Sequence, residues 1–260
     1  MSTASYFIRT GPTTFEPTRH AVGAWSKEDH HFSPMAGLML HVIEQSREDT
    51  PTQHLQLARM SFDILGRIPL AEVDIRVEVL RPGRTIELVQ ATLHIRDRSV
   101  ITARAWYLIP TDTTEAAASE ITPLPAPENC PVRDLGGTWS GGFMTQLQAR
   151  EALTTRPGRG AAWLTSPTQL VQGEKPVEIA EYFARIDTAN GVAVRQSPEQ
   201  WMFPNVDLTV HLFRKPVGTW TGLDTRVDWG TSGIGITSST LHDVDGPVGR
   251  VEQSLTVRRL

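Results

Sequence analysis

The sequence predicts an α+β protein built from two similar units side by side, and three observations carry that reading. Strand-like runs with a period of two dominate the chain. One early helix is apolar nearly all round, the mark of an element buried on most sides. The order of strands and turns then returns 148 residues later, an internal duplication.

The first copy is the clearer one. Ser33 suits a helix N-cap and Pro34 its first turn; Met35, Ala36, Leu38, Met39, Leu40, Val42 and Ile43 follow. Val73 to Val79 alternates strictly, with Val73, Ile75, Val77 and Val79 on one face. Arg81-Pro-Gly-Arg84 is a turn, Thr85 to Ile95 a strand, Asp97-Arg98 a second turn, and Ile101 to Ile109 closes an antiparallel meander. Thr111 to Arg133 changes character, with four prolines after an alanine- and threonine-rich stretch, and reads as a linker. The boundaries expected are a first unit over 1–112, a linker over 113–134 and a second unit over 135–260.

The second copy opens with strand candidates at Phe143 to Ala152 and Gly160 to Leu170. Pro176 starts a helix whose Ile179, Phe183 and Ile186 form one stripe, ended by Asn190-Gly191. Strands over Val206 to Phe213, Gly222 to Trp229, Gly233 to Leu241 and Gly249 to Arg258 complete it, with a hairpin turn at Asp245-Gly246. Met60, Phe62 and Ile64 fall on Leu208, Val210 and Leu212, and Asp97 falls on Asp245, at the same spacing of 148. Arg67-Ile-Pro69 and Arg214-Lys-Pro216 match at 147, a slip of one residue.

Composition narrows the function. The 260 residues are 39% hydrophobic, enough for two cores of ordinary size. Net charge is −4, from 25 basic and 29 acidic residues well mixed along the chain, which gives no electrostatic case for nucleic acid. Cys130 is the one cysteine, so no intrachain disulfide forms, in keeping with a reducing cytoplasm. The opening Met1-Ser-Thr-Ala-Ser-Tyr6 lacks the basic and apolar regions of a secretory leader, and no apolar run approaches the ~20 residues of a membrane span. The expectation is a cytoplasmic protein without a membrane partner.

This layout resembles the hotdog fold, and particular strings sharpen the likeness. His31-Phe-Ser-Pro-Met-Ala-Gly-Leu-Met39 is similar to the entry of the first helix in thioesterase-like proteins of the acyl-CoA thioesterase II type. Asp187-Thr-Ala-Asn-Gly191, Asn205-Val-Asp-Leu-Thr-Val-His211, Gly233-Ile-Gly235 and Gly249-Arg-Val-Glu-Gln253 resemble the second unit of that family, in order and spacing. The resemblance implies a double hotdog that hydrolyses fatty acyl-CoA with no cofactor and no metal. A double unit supplies in one chain the pairing that single hotdog units obtain by dimerising, and a homo-oligomer of the whole chain is compatible with that.

Thioester hydrolysis needs a held and polarised water, a stabilised oxyanion and a dry slot for the acyl chain. The resemblance assigns Asp207 as a catalytic carboxylate; the residues by themselves describe an ordinary polar strand face of Asp207, Thr209 and His211. Gln253 stands on an otherwise apolar stripe with Val251, Leu255 and Val257, where an amide must find partners or cost ~1–3 kcal/mol. The family places a catalytic Gln on this last strand. For its hydroxyl, Thr231 is the nearest candidate, while a gap-free count from Trp220 reaches Asp228. Backbone at Met35, Ala36 and Gly37 is expected to stabilise the oxyanion from the start of the buried helix; Gly37 equally suits close packing. His30-His31 lacks companions at metal-ligand spacing and reads as solvated or capping. The Gly-x-Ser-x-Gly elbow is missing around Ser140, against a serine hydrolase. The hydratase arrangement Asp-x-Asn-Pro-x-His is missing too, against a dehydratase. The competing reading is a hotdog protein that binds an acyl group or acyl-CoA without turning it over.

Overall fold

In a computed structural model describing residues 4–136 and 138–260, the chain forms a sheet of fourteen strands wrapped around paired helical segments. Met1, Ser2, Thr3 and Gly137 lie outside the described residues, and with them the start of the leader reading. The strands are β1 (Ser5–Arg9), β2 (Thr14–Pro17), β3 (Gln56–Ile64), β4 (Val73–Arg81), β5 (Ile86–Ile95), β6 (Arg98–Leu108), β7 (Val132–Arg133), β8 (Gln148–Arg156), β9 (Arg159–Thr165), β10 (Gln169–Val171), β11 (Trp201–Met202), β12 (Asp207–Leu212), β13 (Thr221–Trp229), β14 (Ile234–Asp243), β15 (Gly246–Thr256) and β16 (Arg258–Arg259). Their order across the sheet is β10-β1-β2-β4-β5-β6-β3-β12-β15-β14-β13-β9-β8-β7, with β11 and β16 paired separately. Only the β1–β10 pair is parallel among the pairs described.

The duplication is visible strand by strand. Val73 and Thr221, Ile86 and Ile234, and Arg98 and Gly246 open equivalent strands, 148 residues apart in each case. The two halves join along β3 and β12, where Leu208 faces Phe62 and Val210 faces Met60. Even a register irregularity is copied: Met60–Ala105 gives way to Leu57–Tyr107 in the first half, and Thr209–Glu252 gives way to Asn205–Leu255 in the second. These are the two similar α+β units that the repeat predicted, in the double hotdog arrangement that the resemblance implied. Gly246, at the expected hairpin, takes a φ of 119°, which glycine adopts without a Cβ penalty.

The helical layer differs between the halves. In the first, α1 (Phe32–Ser46) is one continuous helix, buried from Phe32 to Ile43. In the second, the expected single helix is broken into α2 (Glu178–Phe183), a 3₁₀ turn over Ile186–Thr188, and the single turn α3 (Ala189–Val192). Gly191 lies inside α3 rather than ending a helix; a Cβ there would sit 3.0 Å from the Trp139 indole nitrogen. The strand expected over Gly160 to Leu170 is also divided, because β10 leaves its own half to pair with β1. Met144–Gln146 forms a 3₁₀ turn before β8 starts at Gln148. The proline-rich connection packs on the second half, where the Trp163 indole donates to the Pro125 carbonyl at 2.8 Å.

Candidate active site

The broken helix and the last long strand bring one carboxylate and two amides together. Asp187 sits in the 3₁₀ turn between α2 and α3. Gln253 lies on β15 with its side chain on the buried face, alternating with Val251 and Leu255. Asn205 lies just before β12, bridged to Leu255 where the register slips. Asp187 Oδ1 accepts from Gln253 Nε2 at 2.7 Å and from Asn205 Nδ2 at 2.9 Å. Asp187 Oδ2 is left facing His31, whose Nδ1 is 3.8 Å away.

The environment sets the chemistry of this carboxyl. Burial pushes its pKa up to about 7, while the Asn205 and Gln253 donors pull the other way. A carboxylate titrating there is matched to proton transfer at neutral pH. The Gln253 Oε1 atom is buried with no protein partner. Asn190, on α3, donates to the Phe203 carbonyl at 2.8 Å and accepts from Thr237 at 3.5 Å, which fastens the broken helix to the strands.

Two cavities meet at Asp187. One, of about 50 Å³, is lined by Trp139, Met144, Thr188, Asn190 and Gly191. The other is a mainly apolar groove of about 460 Å³, lined by Phe32, Ile64, Ile68, Met202, Pro204 and Val206 among others. Ala24, Trp25, His31, Asp187 and Asn205 line both. The smaller has room for a water, for which ~10–15 Å³ of such space suffices. Trp25 meets Trp139 edge-on with centroids 5.2 Å apart and Phe203 at 5.0 Å, making an aromatic wall at the junction. Among the described residues, no cluster of three His, Cys, Asp or Glu side chains is placed to hold a metal ion. No helix among them is long and apolar enough to cross a membrane.

The expected residues fall into place unevenly. Gln253 is in the constellation, but its partner is Asp187, not Asp207. Asp207 follows Val206 and precedes the buried Leu208, so strand alternation turns it to the opposite face. There it accepts from the Ser254 amide at 2.6 Å, satisfying a donor freed by the register slip. Thr231 is exposed in the turn between β13 and β14, and Asp228 is exposed on the outer face of β13; neither approaches the site. Met35, Ala36 and Gly37 line neither cavity. Ser33's amide is capped by His31 at 3.1 Å, proline 34 has none, and from Met35 onward the amides belong to the helical ladder. Gly37 serves helix packing: a Cβ there would lie 2.7 Å from the Ala184 Cβ. His31 is a cap as expected, but a nearly buried one at the cavity wall. Asp187 and Asn205 carried a signal that spacing alone did not decode, since both stand in strings that resemble the thioesterase II pattern.

A double hotdog with a buried carboxyl–amide constellation at the mouth of an apolar groove defines the class. Sequence profiles then place the chain more closely: the acyl-CoA thioesterase N-terminal domain matches residues 22–108 and the acyl-CoA thioesterase C-terminal domain matches residues 127–257. The chain belongs to the acyl-CoA thioesterase family. Among curated protein sequences none matches. Solved structures share the fold at low identity. A candidate thioesterase from Novosphingobium aromaticivorans DSM 12444 is 19% identical with a TM-score of 0.74, over 96% of this chain and 98% of that one. A hot dog fold protein of unknown function from Alicyclobacillus acidocaldarius is 14% identical with a TM-score of 0.74, over 98% and 95%. The acyl-CoA thioesterase II TesB2 from Mycobacterium marinum is 14% identical with a TM-score of 0.67, over 98% and 95%.

Proposed function

We propose that the chain hydrolyses acyl-CoA thioesters, with Asp187 as general base for one water. The observation that carries this reading is the pairing of a buried, amide-fixed carboxyl with two cavities that it lines together. The apolar groove takes the acyl-thioester and the small polar cavity takes the water. Asp187 Oδ2 removes a proton as the water oxygen adds to the thioester carbon. The tetrahedral intermediate then breaks its carbon–sulfur bond, and the thiolate recovers the proton from Asp187, leaving a free acid and CoA. Asn205 lines both cavities; with Nδ2 committed to Asp187 and to the Asp207 carbonyl, its Oδ1 is an acceptor for the water. Gln253 lines neither cavity and acts through Asp187, as a positioning residue that keeps the carboxyl titratable near neutrality.

One observation favours the other reading, an acyl-group binder without turnover. The side chains bonded to Asp187 are two amides, and the expected third-position hydroxyl is not among them. A thiol-release assay over acyl-CoAs of increasing chain length separates the two. Turnover that is lost in Asp187→Asn supports the hydrolase; saturable binding with no thiol release at any chain length supports the binder.

A further inference from the structure

We infer that His31 is a further catalytic residue, whose Nε2–H donates to the thioester carbonyl oxygen and holds the oxyanion as it forms; this rests on the hydrolase reading above. The ring stands on the wall shared by both cavities, with Nδ1 3.8 Å from the Asp187 carboxyl that activates water in the reading above. Its tautomer is fixed by the fold. The Ser33 amide donates to Nδ1 at the start of α1, so Nδ1 carries a lone pair and the proton of the neutral ring is on Nε2. The ring is held against turning by Phe143, centroids 4.2 Å apart.

Neutral imidazole is the right donor here. Burial pushes the His31 pKa down to about 3, so the ring stays uncharged at any pH where Asp187 is a base. The groups facing it are Asp187 from the second unit, the Ser33 amide on its own helix and the Phe143 ring, and the cations Arg67 and Arg258 line the same groove without an ion pair to it among the described residues. A neutral donor at a helix N-terminus stabilises a developing anion through both its N–H and the helix dipole. The backbone donors expected further along α1 are already used, which leaves this role open. At the start of the second unit's helix, the N-cap of α2 is Val177, and Ile179, 148 residues on from His31, lies inside α2; neither side chain carries a donor.

The test is His31→Ser, which keeps an N-cap acceptor but cannot reach the substrate. With thermal unfolding close to wild type, kcat should fall about 10²–10³-fold, as for loss of one oxyanion donor, while KM stays within about threefold. A folded His31→Ser protein with wild-type kcat overturns the assignment. Should the variant fail to fold, ¹⁵N-histidine NMR on the wild type decides: a neutral Nε2–H ring from pH 5 to 9 is required, and an Nδ1–H or charged ring overturns it. The two readings fail separately. An active His31→Ser beside an inactive Asp187→Asn sinks only the His31 role. An active Asp187→Asn beside an inactive His31→Ser sinks the general base instead.

Discussion

The two halves of this chain carry the same strands in the same register, yet one holds a polar constellation where the other holds grease. Asn205 and Gln253 occupy the places that Leu57 and Ala105 occupy 148 residues earlier, and Asp187 falls at the same spacing on Met39 of the continuous helix; those three are buried within the core. The helical layer follows the same division, continuous around Met39 and broken around Asp187. The difference teaches where the sheet ends and the chemistry begins. Strand spacing, register and even the local slip are common property of both copies. Three side chains and a broken helix turn one copy into a site.

Swapping residues between the copies tests this. The largest effect is expected from Asp187→Met, which installs the first copy's residue, and from Asp187→Asn. Either should cut thiol release about 10²–10⁴-fold, the usual worth of a positioned general base. Asp187→Asn should at the same time stabilise the fold. The Asp187 pKa is raised from its unfolded value to about 7, so the wild-type chain loses stability as pH rises from about 4 to 7, where the unfolded state ionises first. Denaturant titrations should therefore find the variant more stable by about 4 kcal/mol at pH 8, with the gap closing below pH 4.

The reverse graft, Met39→Asp, puts a carboxylate into a core with neither amide nor cavity. It should cost about 3–5 kcal/mol at pH 7 in the same titration, as an uncompensated buried charge does. Gln253→Ala, which copies Ala105, removes a donor that lowers the Asp187 pKa. Turnover at pH 7 should drop about tenfold or more, with the acid limb of the rate profile moving to higher pH. Thr231→Ala and Asp228→Asn sharpen the comparison from the other side. Both residues are exposed and distant, so turnover should stay within about twofold and stability within about 0.5 kcal/mol.

Much of the fold was legible because it is written in periodicity. The alternation of Val73 to Val79 and the return of the strand pattern after 148 residues specify sheet, repeat and core face together. The site was legible only in part. Gln253 announced itself as an amide on a buried stripe. Asp207 misled, although its own neighbours held the correction: beside a core-facing Leu208 it had to point away. Asp187 was hidden because the stripe of Ile179, Phe183 and Ile186 reads as one unbroken helix, and the 3₁₀ turn over Ile186–Thr188 that breaks it leaves no mark in that spacing. His31 was hidden because capping and catalysis ask for the same place at a helix start.

The central claim is that a carboxyl made basic by burial drives the reaction, and the pH dependence of kcat/KM measures it most directly. The profile should be level above about pH 7 and fall about tenfold per unit below it, with one proton taken up. A rate that stays level down to pH 5 would contradict the account, since the base would then be a carboxylate of ordinary acidity and not the buried Asp187.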